Sequence, residues 1–267
     1  MAAPPRNDSL VTRAAPGPRF LGSTLVIVPA RNEAECVAEV VRYWRDQGAA
    51  KVRVVDNGST DNTATLAREA GAEVMYGPRR GYGAAAWRGI QNIPPGVEWV
   101  LFCSADGSDQ LDPTSAAAFQ SAIEAGADLV LGERVSLPDS RRHLRGVQQF
   151  GNWLCCRLLW LGWGSRFRNM ASLRLLCRGV ITRLRLKDRD FGWNVEMQIR
   201  AVEEGLRIVE VPVTYHPRLA GTPKISGNPF GVVRAAWGMI GIIVRLYWRN
   251  RCYHHIRRPT PVNPREF

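Results

Sequence analysis

Apolar positions change period along the chain in a regular way. Residues 24–28 (Thr-Leu-Val-Ile-Val) form a continuous run closed by Pro29, the pattern of a strand buried on both faces. From 33 to 47, Val37, Val40, Val41 and Trp44 recur at helical spacing, and Gly48 stops the helix. The alternation then repeats. Strands are predicted over 52–55, 73–76, 99–103 and 128–131, and helices over 61–70 (capped by Asp61 or Asn62), 83–90 and 113–125. Strands alternating with helices imply right-handed βαβ crossovers and a mostly parallel α/β sheet. Ligands of such sheets sit at the carboxyl ends of the strands. The clusters Arg31-Asn32-Glu33, Asp56-Asn57-Gly58-Ser59 and Ser104-Ala105-Asp106 each follow a strand. One such cluster is ordinary turn chemistry; three on one edge predict a site.

The pattern changes after Arg134. Residues 150–163 are apolar and aromatic with Arg157 as their one charge, and Phe150, Trp153, Leu154, Leu158, Leu161 and Gly162 recur at roughly helical spacing. A helix over 195–204 and a strand over 206–213 follow. The closing helix, over 229–247, carries Phe230, Val233, Trp237, Ile240, Ile243 and Tyr247 between flanking arginines. Aromatic stripes bordered by arginine fit helices lying in a bilayer interface; the alternative is packing on the core or on a partner. The uncharged run 235–244 falls short of the roughly 20 residues a span needs. The expected organisation is a flexible leader over 1–20, a catalytic domain over 21–227, and an interfacial helix with a basic tail over 228–267. A chain ending after Gly227 is expected to keep its fold, because the parallel sheet is complete before it.

Composition narrows the function. With 267 residues, 45% hydrophobic and 22% charged, the chain can build a sizeable core and is not disordered, collagen-like or a coiled coil. Lys and Arg exceed Asp and Glu by 36 − 24, a net +12, so phosphate-bearing partners are expected. The arginines are spread among loops and tail rather than along one helix, which argues against nucleic acid. The six cysteines show no CxxC spacing, so zinc and dithiol motifs are not expected and a reducing compartment is. The first 19 residues contain no apolar segment of the signal-peptide kind. The expected location is cytoplasmic, peripheral on the cytoplasmic face of a membrane.

Asp106, with Ser108 and Asp109 beside it, is the best candidate ligand for a hard divalent cation that keeps waters and bridges phosphates. It could equally cap the helix near Pro113. Gly81-Tyr82-Gly83 lacks the third glycine of a dinucleotide fingerprint and reads as a flexible or close-packed turn before a helix.

Taken together, Val26-Ile-Val-Pro-Ala-Arg-Asn-Glu33, Val54-Val-Asp-Asn-Gly-Ser-Thr-Asp61, Gly81-Tyr-Gly-Ala84 and Ser104-Ala-Asp-Gly-Ser-Asp109 resemble the family 2 glycosyltransferases of GT-A fold. Gly132-Glu-Arg134, Phe191-Gly-Trp-Asn-Val-Glu-Met197, Glu210-Val-Pro-Val213 and Arg218-x-x-Gly-x-x-Lys-Ile-Ser226 are similar to the branch of dolichol- and polyprenol-phosphate sugar synthases. The resemblance implies an inverting transfer from a UDP- or GDP-sugar to a polyprenyl phosphate or other membrane-proximal acceptor, with Mg²⁺ or Mn²⁺. It implies that Pro29, Arg31, Glu33, Asp56 and Ser104 hold the donor, and that Asp106 with Ser108 holds the metal. Arg134 would contact a phosphate, and Arg218 and Lys224 would close over the diphosphate or the acceptor phosphate. Asp190, Trp193 and Glu196 are the candidate acceptor contacts or base. Three positions depart from the family: Ser104 replaces the first acid of the Asp-x-Asp triplet, Asn57 replaces the acid after Asp56, and Asn169-Met-Ala-Ser-Leu-Arg174 replaces Asp-Leu-Gly-Pro-Phe-Arg. Asp109 is the candidate to compensate for Ser104. The alternative is a catalytically weakened homologue that binds nucleotide sugar or lipid as a partner.

Overall fold

A computed structural model describes residues 17–77, 79–144, 146–221 and 229–253. Among them, seven strands form one sheet: β1 (Thr24–Ala30), β2 (Lys51–Asp56), β3 (Glu73–Tyr76), β4 (Trp99–Phe102), β5 (Leu129–Glu133), β6 (Arg174–Cys177) and β7 (Ile208–Pro212). Their order is β3-β2-β1-β4-β6-β5-β7. Only β6 runs against its neighbours, pairing antiparallel with β4 and β5. The sheet is therefore mostly parallel, as the alternation predicts, with one inserted strand that it does not.

Alternate residues of the central strand feed opposite cores, as the period of two requires. Val26 and Val28 join Val40, Val41 and Trp44 of α1 (Val37–Asp46), with α2 (Thr63–Glu69) and α4 (Pro113–Glu124) on the same face. Leu25 and Ile27 face α3 (Tyr82–Gly89) and Trp193, Met197 and Ala201 of α8 (Trp193–Glu203), beside α7 (Arg178–Ile181). Phe20 and Leu21 are buried and Phe20 stacks on Phe119, so the domain begins before the boundary expected at 20. Two helix caps are resolved. Asp112 caps α4, accepting from the Thr114 and Ser115 amides at 2.9 and 3.0 Å, which leaves Asp106 free of that role. Asp61, not Asn62, accepts from the Thr63 amide at the start of α2, at 3.0 Å.

A third layer lies outside α8. Cys155, Leu159 and Trp163 of α6 (Gly146–Trp163) and Ile242, Ile243 and Leu246 of α9 (Pro229–Tyr253) pack on Val195, Ile199 and Val202. α5 (Pro138–Arg142) precedes α6. A chain ending after Gly227, expected from sequence to keep its fold, would lose the α9 side of this shared core while retaining all seven strands.

The helix itself is also longer than expected. It has 25 residues, and 231–250 is long and apolar enough to cross a membrane by length and composition. The stripes read from sequence mix two faces: Ile243 points inward. The outward apolar residues are Val233, Trp237, Val244 and Trp248 on α9, and Val147, Phe150, Trp153 and Leu161 on α6.

Candidate functional site

Strand order reverses between β1 and β4, the position where an open α/β sheet forms its ligand crevice. Three distant segments meet there. Arg218, beyond β7, donates through Nη2 to Glu33 Oε2 at 2.5 Å and through Nη1 to Asp106 Oδ2 at 3.1 Å. Glu33 follows β1 and Asp106 follows β4. The three side chains are 12–18% exposed. The 215–219 segment is clipped onto the Asp106 loop by backbone: Leu219 N–H donates to the Asp106 carbonyl at 3.0 Å and His216 N–H to that of Ser108 at 3.1 Å. Tyr215 forms a bridge with Asp109.

Each carboxylate on this edge is oriented locally. Ser108 donates its amide and hydroxyl to Asp106 Oδ1 at 3.1 and 2.6 Å. Ser59 does the same to Asp56 Oδ1 at 3.0 and 2.5 Å. Ser108 is 1% exposed, so its hydroxyl holds Asp106 rather than standing open as the metal ligand expected from sequence. Pro29 is half-buried at the end of β1, and Arg31 is exposed beside Glu33. Lys224 lies outside the described residues.

One of the two substituted acids, Asn57, has a structural explanation in its side chain. The Asn57 side-chain amide donates to the Gly81 carbonyl at 2.7 Å, a bond a carboxylate could not make. Gly81 and Gly83 form a close-packed turn. Gly81 has φ +139°, and a Cβ on Gly83 would lie 2.8 Å from the Arg189 backbone. At the other position, the Ser104 amide donates to Asp109 Oδ2 at 2.8 Å while Ser172 Oγ donates to Oδ1 at 2.7 Å. Asp109 is thus occupied as a buried tie and does not stand in for the missing acid. Burial raises its pKa, against the opposing pull of Arg134.

Among the described residues, no group of three His, Cys, Asp or Glu could hold a metal by itself. A hard cation shared with phosphate oxygens and waters needs only one or two protein carboxylates. Asp106 fits that mode of binding.

The family model for glycosyl transferase family 2 matches residues 25–191. The chain belongs to glycosyl transferase family 2. It is 33% identical over 216 residues to an uncharacterized glycosyltransferase of Mycobacterium bovis, covering 79% of this chain and 93% of the relative. It is 28% identical over 247 residues to the polyprenol monophosphomannose synthase of Mycolicibacterium smegmatis, covering 83% and 89%. Among solved structures, glucosyl-3-phosphoglycerate synthase of Mycobacterium tuberculosis, in complex with Mn²⁺, UDP and phosphoglyceric acid, superposes with a TM-score of 0.66 at 19% identity, covering 87% of this chain and 79% of that one. That likeness is one of fold.

In this glycosyltransferase the remaining candidates divide sharply. Arg134 follows β5 and donates to Ser172 Oγ at 3.2 Å, Asn169 Oδ1 at 3.4 Å and the Met170 carbonyl at 3.2 Å, with its guanidinium 4.9 Å from the Tyr215 ring. Asn169 and Ser172 belong to the 169–174 segment that departs from the family pattern, and it reaches the edge because β6 starts at its end; Tyr215 carries no motif that singles it out. Asp190 pairs with Arg234 of α9 at 2.8 Å. Trp193 and Glu196 are corrected. Both are fully buried. Trp193 fills the core, and Glu196 Oε2 accepts the Lys187 and Asp188 amides at 2.9 and 2.6 Å, so neither is available as an acceptor contact or base.

Proposed function

We propose that this glycosyltransferase moves one sugar from a UDP- or GDP-sugar to a polyprenyl phosphate or another membrane-proximal acceptor, with inversion and with a divalent cation. The observation that carries the reading is the convergence of Glu33, Asp106 and Arg218 at the switch point of the sheet. The named activity of the mycobacterial polyprenol monophosphomannose synthase, similar along most of both chains, supports a lipid-phosphate acceptor. The complex of glucosyl-3-phosphoglycerate synthase with UDP and Mn²⁺ supports the donor class and the metal.

The chemistry is consistent with that site. As the bond from the anomeric carbon to the donor diphosphate breaks, negative charge collects on the leaving group. Asp106 would hold Mg²⁺ or Mn²⁺ jointly with the diphosphate oxygens, and the cation supplies positive charge there. Arg218 adds a fixed guanidinium, and Lys224 is its proposed companion. Glu33, Asp56, Pro29, Arg31 and Ser104 bound the donor side, and Arg134 faces the acceptor phosphate. A phosphate acceptor, with its second pKa near ~6, is already ionised and attacks the anomeric carbon from the opposite face without a base. Asp190 is the base candidate that remains for a hydroxyl acceptor. The outward aromatic residues of α6 and α9 would seat the protein on a membrane surface.

A panel of UDP- and GDP-sugars with polyprenyl phosphate, with and without Mg²⁺ or Mn²⁺, tests the reading. Metal-dependent nucleoside diphosphate release with one donor supports it. Binding without turnover of any donor would favour the weakened homologue, for which Ser104 in place of the first acid is the specific observation.

A further inference from the structure

Both oxygens of Asp106 are engaged within the chain. Oδ1 accepts the Ser108 amide and hydroxyl, which fills its two lone pairs. Oδ2 accepts Arg218 Nη1 at 3.1 Å. A cation therefore approaches Asp106 at Oδ2, alongside a guanidinium that does not give up its charge. That guanidinium is anchored. Nη2 donates to Glu33 Oε2 at 2.5 Å and Nε to the Ala220 carbonyl at 3.1 Å, so each of its nitrogens has an acceptor. The backbone around it is held as well. Leu219 N–H donates to the Asp106 carbonyl, and the Leu219 side chain lies against Gly107, where a Cβ would collide with it. The Cys36 thiol donates to the Ala220 carbonyl at 3.5 Å.

Two carboxylates and one guanidinium leave this junction with a net negative charge of one, and its side chains are largely buried. A lone divalent ion would turn the junction positive and press against Arg218 where water screens little. A diphosphate removes the conflict. Its oxygens can stand between the two cations, accepting from Nη1 on one side and binding the metal on the other. Glu33 would keep Nη2 meanwhile, so the arginine changes one partner without leaving its place.

We propose that Arg218 is a resident counter-cation that keeps a lone divalent ion off Asp106, so that the metal enters and leaves with the nucleotide. The inference rests on the assignment of Asp106 as the metal carboxylate. It makes the metal–nucleotide-sugar complex, and not a metal-loaded protein, the species that starts each turnover. Metal and nucleotide then raise each other's affinity by the same factor. Loss of Arg218 acts oppositely on the two: it strengthens binding of the metal alone and weakens binding of the nucleotide.

The test measures Mn²⁺ binding to the full-length protein without nucleotide, from the electron paramagnetic resonance signal of free Mn²⁺. Wild type is compared with Arg218→Gln and with Arg42→Gln, which removes an exposed charge on α1. The expected result is a Kd for Mn²⁺ at least about tenfold tighter in Arg218→Gln, within the usual range of such couplings, and changed less than about twofold in Arg42→Gln. Unchanged or weaker Mn²⁺ binding in a folded Arg218→Gln would overturn the proposal, as would an equal gain in Arg42→Gln. A second arm uses wild type alone and follows labelled UDP and GDP by equilibrium dialysis, with saturating Mn²⁺ or with EDTA. One of the two nucleotides should bind at least about tenfold tighter with Mn²⁺. Equal binding would overturn the proposal whether or not Arg218→Gln folds. Asp106→Asn separates this inference from the reading beneath it. Loss of the Mn²⁺ effect in that variant supports Asp106 as the metal carboxylate and leaves the first arm to decide on Arg218. Retention of the effect would remove the metal assignment, and the proposal with it.

Discussion

Arg218 and Asp106, 112 positions apart in the chain, are joined by a 3.1 Å ion pair. The same guanidinium reaches Glu33 with its other terminal nitrogen, so one side chain ties the loops after β1, β4 and β7 together. The guanidinium fork reaches the two carboxylates with separate nitrogens, whereas lysine offers a single point of charge.

Arg218→Lys therefore keeps the charge and loses one of the two contacts. The expected result is a fall in kcat/KM of roughly 10–100-fold, about 1.4–2.7 kcal/mol at the transition state. The melting temperature should stay within a few degrees of wild type. Steady-state kinetics with the best donor checks it; kinetics like wild type would show that the bridge is not used.

Asp109→Ala removes, at a buried position, the acceptor for the amide of half-buried Ser104 and the hydroxyl of half-buried Ser172. A buried donor left unsatisfied costs about 1–3 kcal/mol. Thermal unfolding should show a drop of roughly 2–12 °C for a domain of this size. No drop would mean that the loop finds other partners and that the tie is dispensable.

Glu210 gives a pH-dependent prediction. Burial, helped by nearby Glu133, pushes its pKa to about 7 from an ordinary 4.5, against the opposing amides of Arg168 and Asn169. The folded state therefore holds a proton that the unfolded state releases. Its stabilising contribution is complete below about pH 4.5 and is lost as pH rises through about 7. Glu210→Gln should match wild type near pH 5 and be more stable at pH 8, by an amount on the order of 3 kcal/mol if the whole shift is expressed. Melting temperatures of both proteins from pH 5 to 8 check this; a constant difference would contradict it.

These side chains show what a sequence conveys and what it does not. The βα alternation up to Arg134 was legible because β1, β4 and β5 carry continuous apolar runs, and the run in β2 is broken only by the buried Arg53, with amphipathic helices between them. β6 was not legible: four residues long, it opens with Arg174, which is buried and donates to the Ala171 and Asn194 carbonyls and to Gln198. Its pKa is lowered to about 10 by that burial. No local pattern announces a buried arginine whose partners come from another helix. Glu33, Asp56 and Asp106 were readable because each lies at, or within a few residues beyond, the carboxyl end of a strand. Glu196 resembled them in sequence, but its place inside α8 fixes it as a tie for the 187–188 backbone. The faces of α6 and α9 were ambiguous because both are apolar nearly all round, and periodicity then cannot tell inside from outside.

Leu246→Ala tests the third layer. Leu246 is 2% exposed in the core shared by α6, α8 and α9. A cavity there should cost about 2–5 kcal/mol, lowering the melting temperature by roughly 4–20 °C. A negligible change would mean that α9 does not dock on the domain in solution.

The central claim is that the Asp106 site transfers sugar to a lipid phosphate. Asp106→Asn keeps the shape and the Oδ1 acceptor for Ser108 while removing the charge that would hold a divalent cation. The direct measurement is formation of polyprenyl-phosphate-linked sugar from labelled donor by the wild type and by Asp106→Asn, with Mg²⁺ or Mn²⁺ present. The account predicts a lipid-linked product in the wild type and a loss of at least about 100-fold in the variant, equivalent to about 2.7 kcal/mol, with an unchanged melting temperature. Product formation by the variant within a few-fold of wild type would contradict it.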